Sequence, residues 1–291
     1  MAGSCVACGI IAQCIRKNGK VLLRENCCVR IVSLASGSKG NATCVLCGEA
    51  ALLIDCGLSG RELARRCELA SISLDGLVGA VFTHCHEDHV RGVAALRKNF
   101  PELPLFANFM TAEAIAARQK VDECAFVPFE NGQPFELGPF EVVAFSIPHD
   151  TCDPVGYLVR AKGLTYFHGT DIGTPLESIG RRLAEADIAT LESNHDPILL
   201  RQSRRPVQII HRIAGARGHL SNDDACQLVR RFASPRLKRL CLAHLSQDCN
   251  APHLALSAMR AALEAAGRGD IVLDVLPQEE NHHVYPYVRQ V

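Results

Sequence analysis

Thr83-His84-Cys85-His86-Glu87-Asp88-His89 is the stretch on which the reading of this chain turns. It follows Gly76-Leu77-Val78-Gly79-Ala80-Val81-Phe82, a short apolar run that predicts a buried strand. The cluster therefore falls where a strand gives way to a loop. His84, His86, Asp88 and His89 carry the donors that divalent transition metals prefer. His84 and His86 are two apart, so in extended backbone both rings leave the same face. Asp88 and His89 then turn toward a second centre, and one loop can feed two ions. A lone histidine is ordinarily a satisfied core or surface residue; four ligand-type residues at one strand end are not.

Composition bounds the rest. With 291 residues, 48% of them hydrophobic, the chain can build one large α/β domain or two small ones around a sizeable core. A formal net charge of +0 excludes a whole-protein electrostatic grip on nucleic acid or anionic membrane, though not a local one. No apolar run approaches the ~20 residues that span a bilayer, and the N-terminus has no signal-peptide pattern. Fifteen cysteines, an odd number, are scattered through predicted strands and helices. That suits free thiols in a reducing cytoplasm better than a disulfide framework. Cys44 and Cys47 lie in a predicted strand, where their odd separation puts them on opposite faces as core filler. Cys5, Cys8 and Cys14 lack an evident fourth partner for a metal.

Residues 1–28 show no clear period and read as an N-terminal extension, with one catalytic domain over 29–291. Strands are expected at Val29 to Leu34, Cys44 to Leu46, Ala51 to Asp55, Phe140 to Phe145, Gly156 to Val159, Leu164 to Phe167, Ile188 to Leu191, Arg239 to Ala243 and Ile271 to Leu276. Helices are expected from Ser59 to Leu69, Val90 to Phe100, Thr111 to Lys120, Pro175 to Ala186, Pro252 to Ala266, and from Ser221, the predicted N-cap of a further helix. This pattern fits two sheets flanked by helices. His149, Asp171 and His244 each end an apolar strand, as does Asp55.

The pattern H-x-H-x-D-H resembles the signature of the metallo-β-lactamase superfamily. The resemblance implies an α+β fold, a four-layer αββα sandwich, and two divalent metal ions, zinc or manganese. It implies that His84, His86 and His149 hold one metal, that Asp88, His89 and His244 hold the other, and that Asp171 bridges them. Asp55 would orient the histidine loop. Relatives with di-iron redox centres carry Glu where this chain has His86, which argues for hydrolysis. Two such metals ~3.5–4 Å apart activate a bound hydroxide and stabilise attacking and leaving oxygens; Asp88 and Asp171 would take part, with Asp171 positioning the nucleophile.

Further segments narrow the choice: Leu34 to Ala42, Leu191-Glu192-Ser193-Asn194-His195-Asp196, Gly218-His219-Leu220-Ser221-Asn222, His244-Leu245-Ser246, and Pro148-His149-Asp150 with Pro154-Val155-Gly156-Tyr157. Their number and order resemble the YycJ/WalJ group of the superfamily from about Val29 to the C-terminus, which implies DNA exonuclease activity. They also echo the β-CASP nucleases, although there is no room for that branch's inserted domain. By that echo His219 grips or protonates the scissile phosphate, Glu192 orients a ligand, and His195 lines the cleft. The helix start beside His219 would add backbone N–H groups that favour an anion.

Charge points the same way. From Arg201 to Arg239 the chain carries ten Arg and Lys against only Asp223 and Asp224. Such residues supply sequence-independent phosphate contacts. Arg212 and Arg217, with Ser38 and Asn41 in the turn Ser36 to Asn41, are candidate phosphate contacts. The expected partner is nucleic acid, DNA rather than RNA, with no membrane role. The alternatives are an RNA-processing nuclease, a thioester or lactone hydrolase, which would leave His219 and the basic stretch without a task, and a non-catalytic scaffold, which the full ligand set opposes.

Overall fold

The computed structural model describes the backbone of residues 14–17 and 20–23, and residues 29–277 in full. Strands β1 (Cys14–Lys17) and β2 (Lys20–Leu23) pair antiparallel with each other, inside the stretch read as an aperiodic extension. Cys5 and Cys8 lie outside the described residues, and of Cys14 only the backbone is described.

The first half then runs β3 (Val29–Ala35), β4 (Ala42–Cys47), β5 (Ala50–Ile54), α1 (Gly60–Leu69), β6 (Leu77–Val81), α2 (Glu87–Val90), α3 (Val93–Asn99), β7 (Leu105–Asn108), α4 (Phe109–Gln119) and β8 (Phe126–Phe129). The second runs β9 (Pro134–Leu137), β10 (Phe140–Ser146), β11 (Val155–Ala161), β12 (Leu164–Gly169), α5 (Glu177–Leu183), β13 (Ile188–Glu192), α6 (Pro197–Gln202), α7 (Val207–Ile213), α8 (Asn222–Phe232), β14 (Arg239–Ala243), α9 (Pro252–Ala265) and β15 (Val272–Val275). One sheet has the order β3-β4-β5-β6-β7-β8 and the other β15-β14-β13-β12-β11-β10-β9. Each begins with antiparallel pairs and continues with parallel ones.

Alternation along the strands builds the layers. In β5, Leu52 and Ile54 face the second sheet, while Leu53 faces the helices. In β4, Cys47 joins the inter-sheet core and Cys44 the helix-side core, the opposite faces that their spacing requires. Val142, Ala144, Tyr157, Val159 and Tyr166 meet the first sheet from the other side. Outside it, Leu63 and Cys67 of α1, Leu96 of α3 and Ile115 of α4 cover the first sheet. Ile179 and Leu183 of α5, Leu228 of α8, and Ala255, Met259 and Leu263 of α9 cover the second at helical spacing. The result is helix, sheet, sheet, helix. Each fully buried Leu or Ile in these cores contributes roughly 1.5–3 kcal/mol.

Ser221 caps α8 as expected, in a reciprocal capping box with Asp224. Ser59, read as the first residue of a helix, is instead the N-cap of α1 and accepts from the Glu62 N–H. The predicted Val90 to Phe100 helix is instead two, α2 and α3, parted at Arg91 and Gly92. A Cβ on Gly92 would lie 2.3 Å from the Leu58 carbonyl oxygen, so the chain needs glycine there to pass the end of β5.

Strand direction places the site. β5 and β6 run parallel; so do β12, β13 and β14, and β10 runs the same way because β11 is antiparallel to both β10 and β12. The residues following β5, β6, β10, β12 and β14, and the last of β13, therefore gather at shared edges. Bonds between the halves join them there: Val155 N–H donates to the Thr83 carbonyl at 3.0 Å, and His244 N–H to Ser36 Oγ at 2.9 Å.

Candidate metal centre

The backbone is unusual just where chemistry-bearing residues leave their strands. Asp55, Asp171 and His244 have φ of 60°, 59° and 55°. Non-glycine residues seldom adopt this left-handed region, and its cost of order 1–3 kcal/mol is tolerated mainly where the surroundings over-determine it. Residues after β5 and in the turn before β4 grip the segment after β6: Cys56 N–H donates to the His89 carbonyl at 2.7 Å, and Asn41 N–H to the Asp88 carbonyl at 2.7 Å. Gly57 permits that approach, since a Cβ there would stand 1.7 Å from the Asp88 carbonyl oxygen. Gly57→Ala is expected to cost about 3 kcal/mol or more in urea unfolding. An unchanged midpoint would mean that the loop yields freely.

Donor atoms converge in four overlapping groups. Two are the sets named from the sequence, His84, His86 and His149, and Asp88, His89 and His244; a third, His84, His89 and Asp171, draws on both. Within each set one donor atom per residue lies within 4.8 Å of the others. Asp88 and His89 sit on the one-turn helix α2 rather than in a loop, and the His89 ring lies 4.0 Å, centroid to centroid, from that of His84. Asp171 stands between the sets. Its Oδ2 is 3.2 Å from His89 Nε2, and its Oδ1 is 3.8 Å from His149 Nε2 and 3.7 Å from His244 Nε2.

The outer nitrogen of each buried ring is already engaged. His89 Nδ1–H donates to Asp55 Oδ2 at 2.8 Å, and His149 Nδ1–H to the Gly218 carbonyl at 2.9 Å. His244 Nδ1 lies 3.1 Å from Glu192 Oε1, which can only accept. Thr83 Oγ1–H donates to Asp55, so its lone pair takes the His84 Nδ1–H at 2.9 Å. When the rings are neutral, these partners place the proton on Nδ1 and leave Nε2 of all four with a lone pair turned inward. His84 Nε2 and His244 Nε2 are buried without a hydrogen-bond partner among the described residues. Unpaired imidazole nitrogens beside buried carboxylates fit a divalent cation.

Burial, with neighbouring histidines, pushes the pKa of His84 well below its ordinary value, and lowers those of His86 and His149. These rings stay neutral, as metal ligation requires. Burial also opposes charge on His89, but Asp55, Asp171 and Asp88 outweigh it and raise its pKa. For Asp171, burial is outweighed by His244 and His89, and the carboxyl is held well below the usual range. Glu192 falls to about 2, burial again being outweighed, here by His219.

Asp171, Glu192, His219 and His244 form a further group. His219 Nδ1–H donates to Glu192 Oε1 at 2.8 Å, and Glu192 Oε2 accepts the backbone N–H groups of Ile172 and Leu220. Glu192 thereby holds both His219 and His244.

Several expected phosphate contacts are otherwise engaged. Asn41 is buried: its Oδ1 accepts the Gly37 N–H, and its Nδ2 lies 3.3 Å from Asp88 Oδ2 and 2.9 Å from His89 Nε2. It braces the histidine loop from within, while Ser38 is exposed at the turn. Arg217 donates to the His149 and Thr151 carbonyls, and Arg212 to Asp150 Oδ2. Both clasp the loop that carries His149. The start of α8 is closed by its capping box and by Asp223 and Asp224 in its first turn, so it offers no anion site. His195 is buried under the charge of Glu192 and His219 but joins none of the four donor groups.

Sequence reasoning missed three supports. Asn194 Nδ2 donates to the His244 carbonyl at 2.8 Å, Ser36 receives the His244 N–H, and Asp150 lies beside His86 and His149. Only adjacency to a named motif hinted at any of them.

Paired sheets covered by helices, with histidines and acids collected at the strand tips, define a metal-dependent hydrolase of the metallo-β-lactamase type. The family model described as "Beta-lactamase superfamily domain" matches residues 51–245, and the chain belongs to that superfamily. Within it the chain is similar to exodeoxyribonuclease YycJ of Bacillus anthracis, at 33% identity over 81% of this chain and 89% of the relative. Exodeoxyribonuclease WalJ of Streptococcus pneumoniae serotype 2 (strain D39) is 30% identical over 81% of this chain and 88% of its own length. In fold it resembles the metallo-β-lactamase fold protein YhfI of Bacillus subtilis, with a TM-score of 0.68 at 15% identity over 90% of this chain and all of that one. No helix among the described residues is long and apolar enough to cross a membrane.

Proposed function

We propose that this chain is an exonuclease that hydrolyses phosphodiester bonds in DNA with two divalent metal ions, zinc or manganese. His84, His86 and His149 would hold one, Asp88, His89 and His244 the other, and Asp171 would be shared. The observation that carries the reading is the reach of Asp171 to donor nitrogens of both sets. Two ions held there would lower the pKa of a water molecule and screen the charge on phosphate oxygens.

The other roles follow from the side chains. Asp55 fixes the tautomer of His89, and Glu192 that of His244. His219 spends Nδ1–H on Glu192, so Nε2 is the atom that meets substrate, holding a phosphate oxygen or passing a proton to the leaving one. Arg201 and Arg204 are exposed on and after α6 in the basic stretch, where they would meet the backbone of a bound strand. DNA is favoured by the similarity to the exodeoxyribonucleases YycJ and WalJ.

Incubating the metal-loaded protein with end-labelled double-stranded DNA, single-stranded RNA, a lactone and a thioester tests this. Nucleotide release from DNA, faster than from RNA, is expected. Ester cleavage without nuclease activity would replace the reading with the thioester or lactone alternative. Cleavage of RNA alone would move the substrate to RNA.

A further inference from the structure

The reading above leaves a buried carboxylate oxygen beside the histidines unexplained. Asp150 Oδ1 is shielded from solvent and makes no hydrogen bond among the described residues. It lies 3.4 Å from His149 Nε2 and 3.8 Å from His86 Nε2. The other oxygen, Oδ2, accepts the Arg212 Nε–H, and Arg212 comes from α7, far along the chain. A buried acceptor left without a donor costs roughly 1–3 kcal/mol. The fold keeps one here, against the imidazoles of His86 and His149.

We propose that Asp150 is a fourth protein donor, beside the three imidazoles, to the ion held by His84, His86 and His149; this rests on the reading of those histidines as a metal set. The spacing supports it. Donors about 2.1 Å from one ion stand roughly 3.0–3.5 Å apart for angles between square and tetrahedral. Asp150 Oδ1 and His86 Nδ1 lie 3.4 Å and 3.3 Å from His149 Nε2, while the 3.8 Å approach of Asp150 Oδ1 to His86 is to the other ring nitrogen, Nε2. Arg212 is then a positioning residue: by occupying Oδ2 it turns Oδ1 toward the histidines. With Asp171 shared, this ion would meet three nitrogens and two carboxylates. That set is harder and of higher coordination than the tetrahedral sites of zinc, and it favours manganese.

The test is metal binding by the full chain. Metal-free wild type and the variants Asp150→Asn, Asp150→Glu and His149→Ala are titrated with manganese, with free ion read by electron paramagnetic resonance. Zinc is measured by competition with a chelating dye. Asp150→Asn should weaken one manganese ion at least about tenfold, weaken zinc less, and leave the second ion unchanged; Asp150→Glu should recover part of the loss. Wild-type manganese binding by Asp150→Asn, with one ion lost in His149→Ala, would overturn the role of Asp150 alone. Both ions retained in His149→Ala would overturn the histidine set and this proposal with it. Equal weakening of both ions in Asp150→Asn together with a lower melting temperature would mark a merely structural residue and also overturn it.

Discussion

Asp171→Ala is expected to slow nucleotide release at least about 10³-fold, near 4 kcal/mol of transition-state stabilisation, and to leave the purified protein short of metal. Asp171 is 2% exposed, and its two oxygens lie within 3.8 Å of the inward nitrogens of His89, His149 and His244. No other carboxylate among the described residues approaches all three rings this closely. Without it the two donor sets lose their common member, and three imidazoles face one another with less negative charge between them. Elemental analysis after desalting and single-turnover rates at saturating protein would report both losses. Full metal content with an unimpaired rate would remove Asp171 from the site and the two-ion reading with it.

His219→Ala is expected to act differently: a fall in kcat of about 10²–10⁴-fold, the range of a lost general acid, with metal content near that of the unaltered protein. This ring belongs to neither of the two sets of three; it groups instead with Asp171, Glu192 and His244. Its Nδ1 is taken by Glu192 and its side chain is 17% exposed, which leaves Nε2 to meet a substrate under the proposed reading. A residue that only shaped the pocket would raise KM and spare kcat. Loss of an ion in this variant would make His219 a ligand and leave the proton-transfer role without a candidate.

The legible part of the fold came from period and punctuation. Short apolar runs predict β3, β5, β10 and β12, and the Ser221 to Asp224 pattern predicts the start of α8. Strands β8 and β9 carry Pro128 and Pro134, and both are edge strands. A proline cannot donate to the ladder, so an edge strand can keep it while its sequence ceases to read as a strand. Helices α6 and α7 are too short to show a helical period. The split between α2 and α3 depends on how closely Gly92 passes Leu58, a contact between segments that no local pattern records.

What the sequence by itself determined is the donor inventory: the histidine-rich strand end, the later His149, Asp171 and His244, and the basic stretch beside His219. Residue type and strand-end position are local properties, and they suffice for that. Only the tertiary structure decided what each polar group spends its bonds on. It turned Arg212 and Arg217 onto the His149 loop, buried Asn41 beneath Asp88, and left Asp150 Oδ1 among the histidines. The reason is physical. A long charged or amide side chain binds whichever complementary group packing brings within about 3 Å, and here those groups lie 47 to 68 residues away along the chain.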